Sequence, residues 1–211
     1  MAISIQDLDT SLTTHTTHTV TLYDDTIHTT VTHTPSIVDQ FLSEILYIHR
    51  FRLHRLVVGL DVEWRPNFGR GYNNPVATLQ LCIGRRCLIF QLLYTSFIPQ
   101  SLANFLSNDT YQFVGVGING DVQKLMADYN LWVENTTDLR GLAAEQLQWD
   151  QLKNAGLKDL AMEVLGMDIV KPKNVTLSRW DAEYLDDGQI AYACVDAFVS
   201  FEMGRKLIWG N

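Results

Sequence analysis

Four short, almost unbroken apolar runs constrain what this chain can fold into: LVVGLDVEW (56–64), VATLQLCIG (76–84), CLIFQL (87–92) and QFVGVGI (112–118). Runs of this length, rich in β-branched residues and bounded by turn residues, read as strands buried on both faces, so helices must cover the sheet above and below. The link Gly84-Arg85-Arg86 is too short for a crossover and predicts an antiparallel pair. Helical spacing appears in IVDQFLSEILYIHR (37–50), near 99–107 and in GDVQKLMADYN (120–130). From Asp138 onward the pattern is nearly all helical: GLAAEQLQW, GLKDLAMEVLG (156–166) and, after a Lys/Pro loop, DGQIAYACVDAFVSFEMGRKLI (187–208). The expected architecture is α/β, a mixed central sheet flanked by helices.

Ahead of this lie THTVTLY (17–23) and TIHTTVTH (26–33), which predict an N-terminal β-hairpin over 17–33 turning at Asp24-Asp25. Residues 1–15 are polar and without period, so they are expected to be a loose tail, with 16–211 forming a single domain. His15, His18, His28 and His33 share no ligand spacing and are expected on the solvent side of the hairpin. Three cysteines, an odd number without a CxxC pair, suggest neither a disulfide framework nor a zinc site; Cys82 and Cys87 are expected as buried thiols that could face each other. No apolar run approaches the ~18 residues of a membrane span, and the N-terminus lacks secretory features. A soluble cytoplasmic protein is expected, without membrane association and with the nucleus also open to it.

Acids mark the chemistry. Asp61 and Glu63 stand two apart at the end of a buried strand, so both side chains share one face while Val62 points to the other. Like charges held there repel and are driven toward protonation unless a cation lies between them; the alternative is a strand end emerging into solvent. Asp121 follows the QFVGVGI run at the opening of a helix, where an Asp is ordinarily an N-cap. Tyr192 and Asp196, four apart, share one face of an otherwise apolar helix. A structural Asp paired with an Arg is the alternative, although no basic residue lies within a turn on that helix. Asp61, Glu63, Asp121 and Asp196 form an oxygen donor set suited to Mg²⁺ or Mn²⁺ rather than zinc. Two such ions, ~3.5–4 Å apart, suit hydrolysis of a phosphodiester. Every histidine lies at or before His54, so unless the N-terminal segment folds back over the site, Tyr192 is the candidate for holding the attacking water. The net charge of −8 argues against broad electrostatic coating of nucleic acid, though not against a nuclease whose cations receive the phosphate.

The motifs DVEW, GVGINGDVQKL and LSRWDAEYLDDGQIAYACVDAF, with GLKDLAMEVLG between the last two, resemble the DEDDy class of 3′-to-5′ exonucleases on the ribonuclease H-like fold, closest to the Werner-syndrome-like and ribonuclease D-like branch. The resemblance covers about 56–208. It implies two metal ions per site: Asp61 shared by both, Glu63 and Asp196 on the ion that binds the nucleophilic water, Asp121 supporting the second, and Tyr192 orienting that water. Small plant members of this branch imply single-stranded RNA as substrate, association with Argonaute/RISC small-RNA pathways, and a closed homo-oligomeric ring such as a hexamer. A Werner-like DNA exonuclease is the close alternative. A non-catalytic binding module of the same fold and a phosphatase acting on small nucleotides are the rivals from other classes.

Among supporting residues, Arg65, Arg70, Lys171, Lys173 and Arg179 could contact phosphates or be solvated surface charge. Trp64 and Phe68 could stack on a terminal base or pack in the core, and Trp180 reads as packing. The most basic run, HRFRLHR (49–55), is either a nucleic-acid patch or a solvated junction.

Overall fold

Eight strands form in the computed structural model, which describes residues 3–9, 13–67 and 73–210. They are β1 (Ser4–Asp9), β2 (His15–Leu22), β3 (Asp25–Thr32), β4 (Val57–Trp64), β5 (Val76–Ile83), β6 (Arg86–Gln91), β7 (Gln112–Gly115) and β8 (Thr136–Asp138). All join one sheet in the order β1-β2-β3-β6-β5-β4-β7-β8. The sheet is mixed: β5 and β6 pair antiparallel with Cys82 opposite Cys87, whereas β4, β7 and β8 run parallel. Both thiols are buried and free.

Helices cover both faces. On one side lie α1 (Pro35–Ile48), α2 (Gln100–Leu106) and α3 (Ile118–Tyr129), packed on Val58, Leu60 and Val62 of β4. The other side carries α4 (Leu139–Gln146), α5 (Leu157–Leu165) and α7 (Asp187–Trp209), packed on Val57 and Ala77. A short α6 (Lys173–Thr176) precedes α7. Alternation along β4 therefore sends odd residues to α7 and even residues to the opposite layer. The long helix α7 begins at a capping box in which Asp186 accepts from the Gln189 amide and Gln189 reaches back to the Asp186 amide.

Two expectations need correction, and one strand was not read from the sequence. The loose tail over 1–15 contains a strand: β1 pairs antiparallel with β2 from Ser4↔Thr21 to Asp9↔Thr17, across an irregularity between Asp7 and Asp9. Backbone pairing along one partner, with Ile3 and Ile5 packed on the α7-side core, outweighs the poor strand preference of Asp and Gln. His18 does not lie on the solvent side but is 3% exposed, its Nδ1 2.7 Å from Asp7 Oδ1 and its Nε2 2.8 Å from Thr16 Oγ1. It shares a face with Val20 and Leu22, so the hairpin's alternation buries it. The region after QFVGVGI also holds a strand, since β8 adds to β7 in parallel through three residues, too few for periodicity to reveal.

Candidate active site

Site geometry starts from a contact without a side chain. At Gly59, a Cβ would lie 2.0 Å from the Ala197 carbonyl oxygen and 2.7 Å from the Phe201 amide nitrogen. Gly204 meets Val114 as closely, where a Cβ would come within 2.6 Å of a methyl carbon. Only glycine allows α7 to approach β4 and β7 so nearly, and this seats Asp196 beside the α7-facing acids of β4. Asp61, Glu63 and Asp196 each offer an oxygen, and the three oxygens lie within 4.8 Å of one another. Asp61 and Glu63 are half-buried and Asp196 is buried.

Close acids out of water are mutually hostile. Burial raises the Asp61 carboxyl well above its ordinary range, and Asp196 and then Asp121 raise it further. Glu63 is raised by burial, then by Asp61 and Asp196. A divalent cation among these oxygens relieves the repulsion, and a donor set of carboxylates without nitrogen or sulfur fits a hard ion.

Asp121 arrives from the other layer. The structure revises its expected position: β7 stops at Gly115, Gly117 takes the left-handed conformation with φ 80° as N-cap, and α3 starts at Ile118. Asp121 is therefore inside the first turn, beyond the carboxyl end of β7, where parallel sheets gather ligands, and close enough to Asp61 to raise its carboxyl. Its carboxyl is pushed up to about 7 by burial and then by Asp138, against the pull of Arg140. Asp138 and Arg140 were not singled out from sequence. Asp138 caps α4 through the Arg140 amide at 3.0 Å and pairs with the Arg140 guanidinium at 2.8 Å. An Asp just before an apolar-periodic segment is a readable N-cap signal; its nearness to Asp121 is tertiary.

Asp196 has a basic partner after all, supplied by the Lys/Pro loop and not by its own helix. Lys171 Nζ donates to Asp196 Oδ2 at 2.5 Å and lies 4.9 Å from the Tyr192 ring centroid. Burial works against the ammonium, but Asp196 and Tyr192 hold its pKa above the ordinary lysine value. Burial and then Asp196 raise the Tyr192 hydroxyl, with Lys171 and Thr176 countering. Tyr192 thus stays a neutral phenol at neutral pH. Trp180 is buried, its ring 5.9 Å from that of Tyr192.

Among the described residues, the remaining candidates form no ion pair with these acids. Trp64 lies on the opposite layer, half-buried, with Lys124 Nζ 5.3 Å from its ring centroid. Arg65 and Arg179 converge on Asp181, at 2.9 and 3.5 Å. Lys173 is exposed at the start of α6. Phe68 and Arg70 lie outside the described residues.

Known proteins resemble this chain over most of its length. A family model described as 3′-5′ exonuclease matches residues 33–208. The chain is 35% identical over 151 residues to a "3′-5′ exonuclease" of Arabidopsis thaliana, covering 71% of this chain and 52% of that protein. It is 34% identical over 152 residues to the bifunctional 3′-5′ exonuclease/ATP-dependent helicase WRN of Mus musculus, covering 72% of this chain and 11% of that one. The chain thus spans about half or less of these curated relatives. Among solved structures, the EXD2 exonuclease domain matches with a TM-score of 0.51 at 28% identity, over 85% of this chain and 92% of the other. Its Mn-soaked form gives 0.50 at 29%, over 85% and 89%.

Proposed function

The chain belongs to the 3′-5′ exonuclease family, and from that premise we propose that it removes mononucleotides from the 3′ end of single-stranded RNA at the Asp61, Glu63, Asp121 and Asp196 cluster. The observation that carries this reading is the meeting of three carboxylate oxygens within 4.8 Å of one another, with the Tyr192 phenol on the same helix face as Asp196. Asp61, Glu63 and Asp196 would hold one divalent ion, Mg²⁺ or Mn²⁺, and Asp61 with Asp121 a second. Such ions, when bound, supply positive charge to a phosphate that the chain itself would repel.

The chain's own residues supply orientation. Tyr192, neutral because its hydroxyl is raised, orients a water by hydrogen bonding rather than by taking its proton. Lys171 fixes Asp196 and Tyr192 relative to each other. Attack joins the water oxygen to the terminal phosphorus and breaks the bond to the preceding O3′, which ends with the proton the water gives up, releasing a 5′-mononucleotide and a shortened strand with a 3′-hydroxyl. Arg65 and Arg179, drawn together on Asp181, would exchange that carboxylate for substrate phosphates.

The preference for RNA, a homo-oligomeric ring and an association with Argonaute-linked complexes in the cytoplasm rest on the resemblance to the small plant members of the branch. The solved EXD2 domain was soaked with GMP in one case and dGMP in another, so the sugar is the part of the proposal most in need of a test. The experiment is a time course on 5′-labelled single-stranded RNA and DNA of matched sequence, with free and blocked 3′ ends, in Mg²⁺, Mn²⁺ and EDTA, beside Asp61→Ala. A metal-dependent ladder shortening from the free 3′ end of RNA, absent in the variant, is expected. Faster shortening of DNA replaces the RNA reading with the Werner-like one; strand binding without cutting replaces both with a binding module.

A further inference from the structure

The basic run at 49–55 has no part in the acid site. It lies at the opposite end of β4, where the chain passes from α1 through a 3-10 turn (Leu53–Arg55) into Val57. Asp61 is four residues along, ~13 Å at ~3.3 Å per residue. There Arg52 and Arg55 line a cleft of about 670 Å³, together with Arg85 from the β5–β6 turn and Arg205 and Trp209 from the last turns of α7.

Four arginines face two carboxylates, an excess of positive charge in a chain whose net charge is −8. Asp25 pairs with Arg85, and Glu202 with Arg205 at 2.7 Å. Among the described residues, neither Arg52 nor Arg55 forms an ion pair with a carboxylate. Arg55 instead lies 4.3 Å from the centroid of the Trp209 ring, and that indole stays 38% exposed. His49, also lining the cleft, has its imidazole pKa lowered by burial and then by Arg52. Planar guanidinium forks match phosphate oxygens, and an indole beside them offers a stacking face to a planar ring.

We propose that this cleft is a second ligand site, separate from the acid cluster, that takes a nucleotide: its phosphate on Arg52 and Arg55, its base toward Trp209. The same chemistry comes from a free mononucleotide or from one unit of a strand, and binding distinguishes the two. Calorimetric titration of the full chain in EDTA, so that nothing is cut, with GMP and with a short 3′-phosphorylated single-stranded RNA, compares wild type, Arg52→Glu/Arg55→Glu and Lys153→Glu/Lys158→Glu. The arginine reversal is expected to weaken binding at least roughly tenfold, while the lysine reversal elsewhere on the surface leaves it unchanged. Loss of GMP binding identifies a free-nucleotide site; loss with the strand alone identifies a strand contact. The proposal is overturned by absence of binding of both ligands to wild type, by an arginine variant that binds as wild type does, or by equal weakening from both reversals. Should the reversal lower the melting temperature, Arg52→Gln/Arg55→Gln gives the same comparison without new acids.

Discussion

Two regions around this sheet draw polar groups out of water, wholly or in part, and they treat them in opposite ways. In the hairpin of β2 and β3 the buried polar side chains have partners: His18 has Asp7 and Thr16, Thr29 donates to Cys194 Sγ of α7 at 3.1 Å, and Thr32 to the Thr14 carbonyl at 2.7 Å. At the carboxyl end of β4, Asp61, Glu63, Asp121 and Asp196 gather, and Lys171 pairs directly with Asp196 while its charge is felt by Asp61 and Glu63. Paired buried polarity holds a fold together. Unpaired like charge destabilises it and persists where a ligand of opposite charge completes the site.

The sharpest way to break this contrast is to remove one acid. Glu63→Gln is expected to lower hydrolysis at least ~10²-fold while raising the melting temperature of the metal-free protein, because a like charge beside Asp61 and Asp196 is gone. A variant that loses activity and stability together would place Glu63 with the hairpin's paired groups. Next in size is Gly59→Ala, whose methyl would enter the space of the Ala197 carbonyl. It should cost roughly 1–3 kcal/mol or more in denaturant unfolding and abolish activity by lifting α7 from β4.

Lys171→Met sharpens the comparison from the other side. Without its ammonium, kcat is expected to fall ~10- to 100-fold, and the acidic limb of the pH profile to move to higher pH as the acids lose their countercharge. In the hairpin, Asp7→Ala leaves His18 short of one partner and should cost about 1 kcal/mol with activity unchanged.

Much of this arrangement was legible from residues alone, for a physical reason. Period-two alternation placed Asp61 and Glu63 on one face, and helical spacing did the same for Tyr192 and Asp196, because both follow from backbone geometry. Partners brought from afar were not legible. Lys171 lies in a loop 25 residues before Asp196, and nothing periodic links them. The Asp138–Arg140 pair beside Asp121 depends on β8, a strand of three residues. The sequence placed Asp121 at the helix start, but Gly117 opens α3 one turn earlier. β1 escaped notice because an edge strand needs only one partner and tolerates polar residues that composition counts against it.

Protonation gives the contrast a direction in pH. Asp121 keeps its proton up to about 7 in the folded chain, against an ordinary 3.8. Between those values the folded state binds a proton that the unfolded state has lost, so metal-free stability falls as pH rises through that window. A cation that displaces the proton must then bind more tightly at the upper end. The most direct measurement is therefore titration of Mn²⁺ into wild type and Asp61→Asn at pH 6 and pH 8. Affinity that rises with pH in wild type and is lost in the variant is the result expected. Binding that ignores both pH and Asp61 would contradict the assignment of these acids as the metal site.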